Sequence, residues 1–171
     1  MDKKTSIIIE KEIITGGRTM RLPNNSVINR YCHVLAGAEI GHDVMIGENC
    51  YISRDVKIGN YTRIQNGNNL YDGLTIGDRV FIAPVVGISN HHDPRIRDGK
   101  FEADPVWIKD GATIGINSTI IAPCIIGENA FVAGGAVVLR NIADNEKYIS
   151  LYKDRYQSGL VNPKGKKWVK Q

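Results

Sequence analysis

Cysteine is scarce in this sequence of 171 residues, and its three copies, Cys32, Cys50 and Cys124, have no paired spacing. The odd number and the spacing argue against a disulfide framework. No apolar run is long enough to span a bilayer, so we expect no membrane insertion. Because no secretory leader is recognisable either, we expect a cytoplasmic protein.

The sequence also lacks a basic stripe along most of its length. The formal net charge is +4, but residues 140–171 alone hold eight Lys or Arg against three Asp or Glu. Without a basic stripe or an aromatic platform on the body of the protein, we expect no nucleic-acid binding. The basic tail is either a solvated segment or a cationic site for the phosphates of a ligand.

What the sequence does contain is a six-residue repeat of branched aliphatic residues. Six helical steps of about 100° would rotate each successive residue by about 240°, so no helix keeps them on one face. A strand period of two divides six, which predicts an all-β fold of short strands and corners, the stacked parallel β-helix. If three strands close a coil, each coil takes eighteen residues and the repeat forms about six coils. The seventeen repeat positions are Ile28, Val34, Ile40, Ile46, Ile52, Ile58, Ile64, Leu70, Ile76, Ile82, Ile88, Ile108, Ile114, Ile120, Ile126, Val132 and Val138.

A second inward position stands two residues before each repeat residue and is mostly small or β-branched. All three cysteines occupy this column, so we predict that they are reduced core residues. Asn68 falls in the same column, which predicts a structural role with internal hydrogen bonds. Glycine directly follows six of the repeat residues and suits tight corners, including corners with positive φ. These glycines are Gly41, Gly47, Gly59, Gly77, Gly115 and Gly127.

The repeat divides the chain into three parts. Residues 1–25 lie outside it and are predicted to form an N-terminal cap. Residues 26–140 form the β-helix, with a long loop over residues 89–105. Residues 141–171 are predicted to form a short helix followed by a basic tail, because apolar and aromatic residues between Ala143 and Leu160 have helical spacing.

The repeat is interrupted once, where fourteen extra residues separate Ile88 from Ile108. An insertion confined to one corner of a repeat scaffold is usually a functional surface. The loop holds His91 and His92, two of only four histidines, and imidazole is a natural proton acceptor near neutral pH. We predict His91 as the catalytic base, with His92 as the alternative.

Asp72 lies one coil below Asn90 in the predicted register. It is a candidate to orient an imidazole or to bind a substrate amine, although Asp72-Gly73 is also an ordinary turn sequence. Other polar residues near the loop are candidates for binding the substrate. They are Asn66, Asn69, Tyr71, Asn90 and Arg95.

The repeat, with the stretches Ala112–Ile120 and Ile126–Val132, resembles the hexapeptide-repeat acyltransferases that have a left-handed β-helix. Within that superfamily, Ile64–Tyr71, Val80–Pro84 and the Asn90–Arg95 loop are similar to the nucleotide-sugar amine N-acetyltransferases that modify 3-amino sugars. This resemblance implies a homotrimer that uses acetyl-CoA to N-acetylate a nucleotide-linked amino sugar for surface polysaccharide biosynthesis.

The resemblance also implies where acetyl-CoA binds, in a groove along the C-terminal coils that small residues line. We expect direct attack of the acceptor on the thioester, since no cysteine is placed for covalent transfer, and we expect no metal. The implied acetyl-CoA contacts are Ala112, Ser118, Ala130, Ala133, Gly134 and Gly135, with Arg140 near the CoA phosphates.

Three other functions share this scaffold. The Asn90-His91 pair is similar to the catalytic loop of xenobiotic and sugar O-acetyltransferases, in which a histidine deprotonates a hydroxyl. Carbonic anhydrases of the γ type bind zinc through three histidines at subunit interfaces. His33 and His42 of this sequence are only half a coil apart, which does not match the spacing of those zinc ligands. A non-catalytic β-helix scaffold is the third possibility, and acetyl-CoA binding would distinguish it from the transferases.

Overall fold

The chain folds as a parallel β-solenoid of about six coils, which confirms the predicted stack. The computed structural model describes residues 5–95 and 101–150. Every regular element in those two ranges is a strand, and no helix there could cross a membrane. The strands are β1 (Ile7–Ile8), β2 (Ile13–Ile14), β3 (Met20–Arg21), β4 (Val27–Ile28), β5 (His33–Val34), β6 (Glu39–Ile40), β7 (Met45–Ile46), β8 (Tyr51–Ile52), β9 (Lys57–Ile58), β10 (Arg63–Ile64), β11 (Asn69–Leu70), β12 (Leu74–Ile76), β13 (Phe81–Ile82), β14 (Gly87–Ile88), β15 (Val106–Ile108), β16 (Thr113–Ile114), β17 (Thr119–Ile120), β18 (Cys124–Ile126), β19 (Phe131–Val132), β20 (Val137–Val138) and β21 (Lys147–Tyr148).

The strands form three faces. The first face is the sheet β1-β6-β9-β12-β15-β18, and the second is β3-β4-β7-β10-β13-β16-β19-β21. The third combines β2-β5-β8-β11 with β14-β17-β20, where β14 lies beside β11. Successive coils are in register, so that Ile64 pairs with Ile46 below it and with Ile82 above it. The register also survives the insertion, because Phe81 pairs with Thr113 across it.

The seventeen repeat residues form the core, each with 7% or less of its surface exposed. The residues of the second column are buried as well, including the three cysteines, which are free thiols as predicted. The amide of Asn68 donates to the Gln65 and Ala83 carbonyls at 2.6 and 3.1 Å and accepts the Val86 N–H at 2.9 Å. This confirms its structural role, because each polar atom of the buried amide is satisfied.

The glycines that follow the repeat residues are needed for space between coils. A Cβ on Gly59 would lie 2.3 Å from the carbonyl carbon of Gly77, and one on Gly115 would lie 2.3 Å from the backbone nitrogen of Gly134. None of the six has positive φ, so that part of the sequence expectation was wrong. Positive φ instead occurs two residues later in the corner, as at Asn49 with φ of 55°.

The N-terminal strands run antiparallel to the first coil. β1 pairs with β6, β2 with β5 and β3 with β4, which puts one antiparallel strand on each face. The backbone groups at the lower edge of the solenoid are therefore paired rather than open.

Residues 143–150 do not form the helix predicted there. Tyr148 pairs in parallel with Val132, and Ile142 forms a parallel bridge with Ile126. The solenoid thus continues with a further coil of sixteen residues instead of eighteen. Because this spacing differs from the eighteen residues of a regular coil, the six-residue repeat did not predict the last coil. The rest of the predicted helix and the basic tail lie outside the described residues.

Candidate active site

The inserted loop leaves the solenoid after β14 and returns at β15, at the corner between the third and first faces. The backbone N–H of Asp104 donates to the Asn90 carbonyl at 2.9 Å, which closes the two ends of the loop on each other. The N–H of Val106 donates to the Gly73 carbonyl in the coil below at 3.0 Å. These contacts hold the residues at both ends of the loop close to one corner.

His92 and Asp104 form a hydrogen-bonded pair at this corner. Nδ1 of His92 lies 2.7 Å from Oδ2 of Asp104, and the same oxygen accepts the backbone N–H of His92 at 2.8 Å. An ionised carboxylate only accepts hydrogen bonds, so the ring proton of neutral His92 is on Nδ1 and the lone pair is on Nε2. The hydrogen bond from the His92 side chain keeps the pKa of Asp104 below its ordinary value. This is the arrangement of a base with its orienting carboxylate.

His91 has the opposite proton arrangement. Its Nδ1 accepts the backbone N–H of Asp93 at 3.0 Å, which leaves the proton of the neutral ring on Nε2. The ring stacks on His92, with centroids 5.1 Å apart and an interplanar angle of 8°, and lies 5.9 Å from the ring of Phe101. In this geometry His92, rather than His91, presents the accepting nitrogen.

Asp72 lies below the loop, but its hydrogen bonds are within the solenoid. Its carboxylate accepts the hydroxyl of Ser53 and lies against the carboxyl of Asp55. Burial, together with the hydrogen bond to Asp72, raises the pKa of Asp55. The carboxylate that orients a loop imidazole is therefore Asp104, whereas Asp72 is hydrogen-bonded within the solenoid.

An aromatic strip on the third face leads to this corner. The Tyr71 ring lies 5.8 Å from that of Tyr51, whose ring is in turn 5.4 Å from that of His33 and edge-on to it. Tyr71 is 43% exposed, and the exposed Asn69 is paired with Tyr51 in the neighbouring coil. Tyr71 and Asn69 are thus on the surface that adjoins the loop.

The other predicted substrate residues are placed differently. Arg95 donates to Asp93 at 2.6 Å within the loop. The carbonyl of Asn90 holds the loop closed, as described above. Asn66 lies at the opposite end of β11, where its Oδ1 accepts the N–H of Glu48 at 2.9 Å, so the structure does not bring it to the loop.

Most of the small residues expected to contact acetyl-CoA face the interior. Each of these residues is 1% or less exposed, so a surface ligand would reach them through the backbone rather than the side chain, and their role as acetyl-CoA contacts stays a prediction. Gly134 and Gly135 differ, because both are exposed at the corner between the second and third faces. The interior residues are Ala112, Ser118, Ala130 and Ala133.

Arg140 is exposed but already paired. Its guanidinium donates to both carboxylate oxygens of Glu146 at 2.7 and 3.2 Å and lies 5.1 Å from the centre of the Tyr148 ring. The pairing raises the pKa of Arg140 and lowers that of Glu146. A phosphate would have to compete with Glu146 for this side chain.

The six-residue spacing of the repeat matches the sequence model of a known family. Residues 20–54 and 105–140 match the model described as bacterial transferase hexapeptide, with six repeats. Both matched segments therefore carry hexapeptide repeats. The resemblance drawn from the sequence is confirmed at this level.

Hexapeptide-repeat relatives are found among both sequences and structures. The bifunctional protein GlmU of Brevibacillus brevis is 28% identical over 151 residues, which cover 88% of this chain and 31% of that protein. The bifunctional protein GlmU of Listeria monocytogenes is 30% identical over 152 residues, 80% of this chain and 33% of that protein. The chain spans about a third of the length of these relatives.

Among solved structures, a hexapeptide-repeat acetyltransferase of Vibrio cholerae in complex with acetyl-coenzyme A is 26% identical to this chain. The TM-score is 0.55, and the match covers 63% of each chain. The structure of the same protein described without acetyl-coenzyme A gives 27% identity and a TM-score of 0.53.

Asp104 is the residue of this candidate site that sequence reasoning missed. It stands twelve residues after His92 and directly before Pro105, where the repeat resumes. A signal was present, because a loop inserted at one corner must bring its last residues back beside its first. An acidic residue at that closing position could have been paired with the histidines.

Proposed function

We propose that this hexapeptide-repeat protein is an acetyl-CoA-dependent acetyltransferase in which His92 activates the acceptor. The observation that carries the proposal is the His92–Asp104 pair in the loop that interrupts the solenoid. The similarity to the Vibrio cholerae acetyltransferase, which binds acetyl-coenzyme A, supports the choice of cofactor.

In the proposed reaction the acceptor attacks the thioester directly. As its nitrogen or oxygen bonds to the acetyl carbonyl carbon, its proton passes to Nε2 of His92. The carboxylate of Asp104 stabilises the imidazolium that forms. The carbon–sulfur bond then breaks, and His92 returns the proton to the leaving CoA thiolate. General base catalysis of this kind contributes about 10²–10⁴-fold to a rate.

The acceptor that fits best is the amino group of a nucleotide-linked amino sugar, used in surface polysaccharide biosynthesis. Asp55 accepts the N–H of Gly73, whose carbonyl accepts the N–H of Val106 at the end of the loop, so the carboxyl pair of Asp55 and Asp72 lies beneath the loop. A carboxylate there favours a cationic amine over a neutral hydroxyl. The exposed ring of Tyr71 offers an aromatic surface for a base or a sugar. Transfer to a hydroxyl is the second candidate, because an oriented imidazole also deprotonates alcohols.

The complete site requires more than one subunit in this proposal. The side chain of His92 is 62% exposed, so a single solenoid encloses it poorly. In a homotrimer, the surface of a neighbouring subunit would enclose His92 from the other side. Acetyl-CoA would then lie along the groove between subunits, near Gly134 and Gly135. We place this assembly in the cytoplasm, where acetyl-CoA and nucleotide sugars are available.

The test is turnover of acetyl-CoA, followed by release of the CoA thiol, against three acceptor classes. These are nucleotide-linked amino sugars, unlinked amino sugars and hydroxyl acceptors such as sugars and hydroxylated antibiotics. Turnover of nucleotide-linked amines alone is the expected result, and turnover of hydroxyls alone would select the second candidate. A protein that neither turns over nor binds acetyl-CoA in a thermal-shift assay would be a scaffold and not a transferase.

A further inference from the structure

We propose that His91, His92 and Asp104 form a binding site for a divalent transition-metal ion such as Zn²⁺, and that the ion switches off His92 as a base. The inhibitory part rests on the proposed function, whereas the metal site itself does not. The site is distinct from the histidine spacing of γ-type carbonic anhydrases, because all three ligands belong to one loop of one chain.

The geometry places three suitable ligand atoms together. Each of the three side chains offers one nitrogen or oxygen, and these atoms lie within 4.8 Å of one another. In a tetrahedral zinc site with bonds of about 2.0–2.1 Å, ligand atoms lie about 3.4 Å apart. The His92 Nδ1–Asp104 Oδ2 separation is 2.7 Å, a hydrogen-bond distance, so this pair must open by about 0.7 Å while His91 approaches. Surface side chains of a loop can make such a movement without disturbing the coils.

The donor set suits zinc and its neighbours in the transition series. Two imidazoles and one carboxylate, with water in the remaining position, are a common ligand set for Zn²⁺. Hard cations such as Mg²⁺ prefer oxygen ligands and keep several waters. The site should therefore bind Zn²⁺ or Co²⁺ and discriminate against Mg²⁺.

Metal binding and base catalysis exclude each other at His92. The nitrogen nearest the carboxylate is Nδ1, which carries the ring proton in the metal-free pair. A metal ion on Nδ1 moves that proton to Nε2, the nitrogen that must accept the acceptor's proton. The ion also takes the carboxylate of Asp104, which then no longer stabilises an imidazolium. The metal-bound protein should therefore be inactive until the metal ion is removed.

The experiment measures metal binding to tag-free, full-length protein that has been treated with a chelator. Titration with Zn²⁺ alone should show one ion per chain by calorimetry, and Co²⁺ should produce a visible absorption spectrum with histidine nitrogen ligands. His91→Ala and Asp104→Ala should each weaken Zn²⁺ binding by at least about tenfold. His33→Ala is the matched control, because His33 is also a surface histidine beside a carboxylate, that of Glu12, but lies away from the loop.

If the protein did not bind Zn²⁺, or if the two loop variants bound it as tightly as the control, the proposal that these residues form a metal site would be wrong. In the transferase assay, Zn²⁺ at saturation should reduce turnover by at least about tenfold, and a chelator should restore it. Full turnover by zinc-saturated protein would overturn the claim that the ion occupies Nδ1. The calorimetric result does not depend on turnover, so failure of the proposed function and failure of the metal site can be told apart.

Discussion

A single oxygen of Asp104, Oδ2, accepts two hydrogen bonds from His92, one from the ring at 2.7 Å and one from the backbone at 2.8 Å. The backbone contact fixes the carboxylate relative to the loop, and the ring contact fixes the tautomer of the imidazole. His92 is thereby oriented by a group that is itself held in place.

Replacing His92 by alanine should reduce kcat by about 10²–10⁴-fold with saturating substrates, because the proton acceptor is lost. His91→Ala should cause a smaller loss, since Nε2 of His91 carries a proton in this geometry. Steady-state kinetics of the two variants on the same acceptor provide the comparison. If His91→Ala proved the more damaging change, the assignment of the base would have to be reversed.

Asp104→Asn should lower kcat and leave the KM for acetyl-CoA near its original value. The amide can still accept the backbone N–H of His92, but it carries no charge to stabilise an imidazolium. We expect a loss of about tenfold or more, given that charge-assisted hydrogen bonds are roughly twice as strong as neutral ones. An increase in KM with unchanged kcat would show instead that Asp104 acts only in binding.

Asp55→Asn should stabilise the protein at neutral pH. Burial and the neighbouring Asp72 raise the pKa of Asp55, so ionisation is harder in the folded state than in the unfolded state. Stability is therefore lost as pH rises through the folded pKa, and the substitution removes that loss. The burial of Asp55 is only partial and much of its side chain is in contact with water, which screens the effect, so we expect a gain in Tm of only about 1–2 °C at pH 7.

The gain should largely disappear at about pH 3.5, below the ordinary carboxyl pKa, where Asp55 is mostly protonated in both states. An asparagine oxygen can replace the carboxylate as acceptor of the Gly73 N–H, so that contact is preserved. Thermal unfolding followed by circular dichroism at the two pH values tests this. A gain in Tm that is equal at both would contradict the electrostatic explanation.

Gly59→Ala should destabilise the fold by about 1–3 kcal/mol, because the new Cβ would lie 2.3 Å from the carbonyl carbon of Gly77. Gly87→Ala is the matched control on an exposed strand position, where the nearest atom, Oγ1 of Thr119, would be 3.7 Å away. We expect its effect to be within about 0.5 kcal/mol. Denaturant unfolding of both variants would reveal whether space between coils is the limiting factor, and equal losses would show that it is not.

The core was predictable because the repeat depends on a strand period that the sequence displays directly. The repeat correctly predicted that Cys124 and Asn68 face inward, although their contacts were not known. The same columns contain Ala112 and Ser118, so the repeat already indicated that these residues face inward. The structure confirms that they face inward, whereas the cofactor contact implied by the family resemblance stays a prediction.

The site was less predictable, since it depends on how a loop closes. The histidines could be found because they lie in the insertion, but pairing His92 with Asp104 requires the path of the chain between them. The final coil was missed for a related reason. Its spacing of sixteen residues between Ile126 and Ile142 departs from the repeat, and only the backbone pairing reveals it.

Because Phe81 pairs with Thr113 across the insertion, the composition of the loop is independent of the stability of the core. Because the strands before and after the loop stack as if it were not there, changes in its length or composition need not disturb the core. A different loop could be grafted between β14 and β15 with little effect on thermal stability. The corner is thus an exchangeable position, at which the proposed acceptor site can be redesigned while the scaffold stays the same.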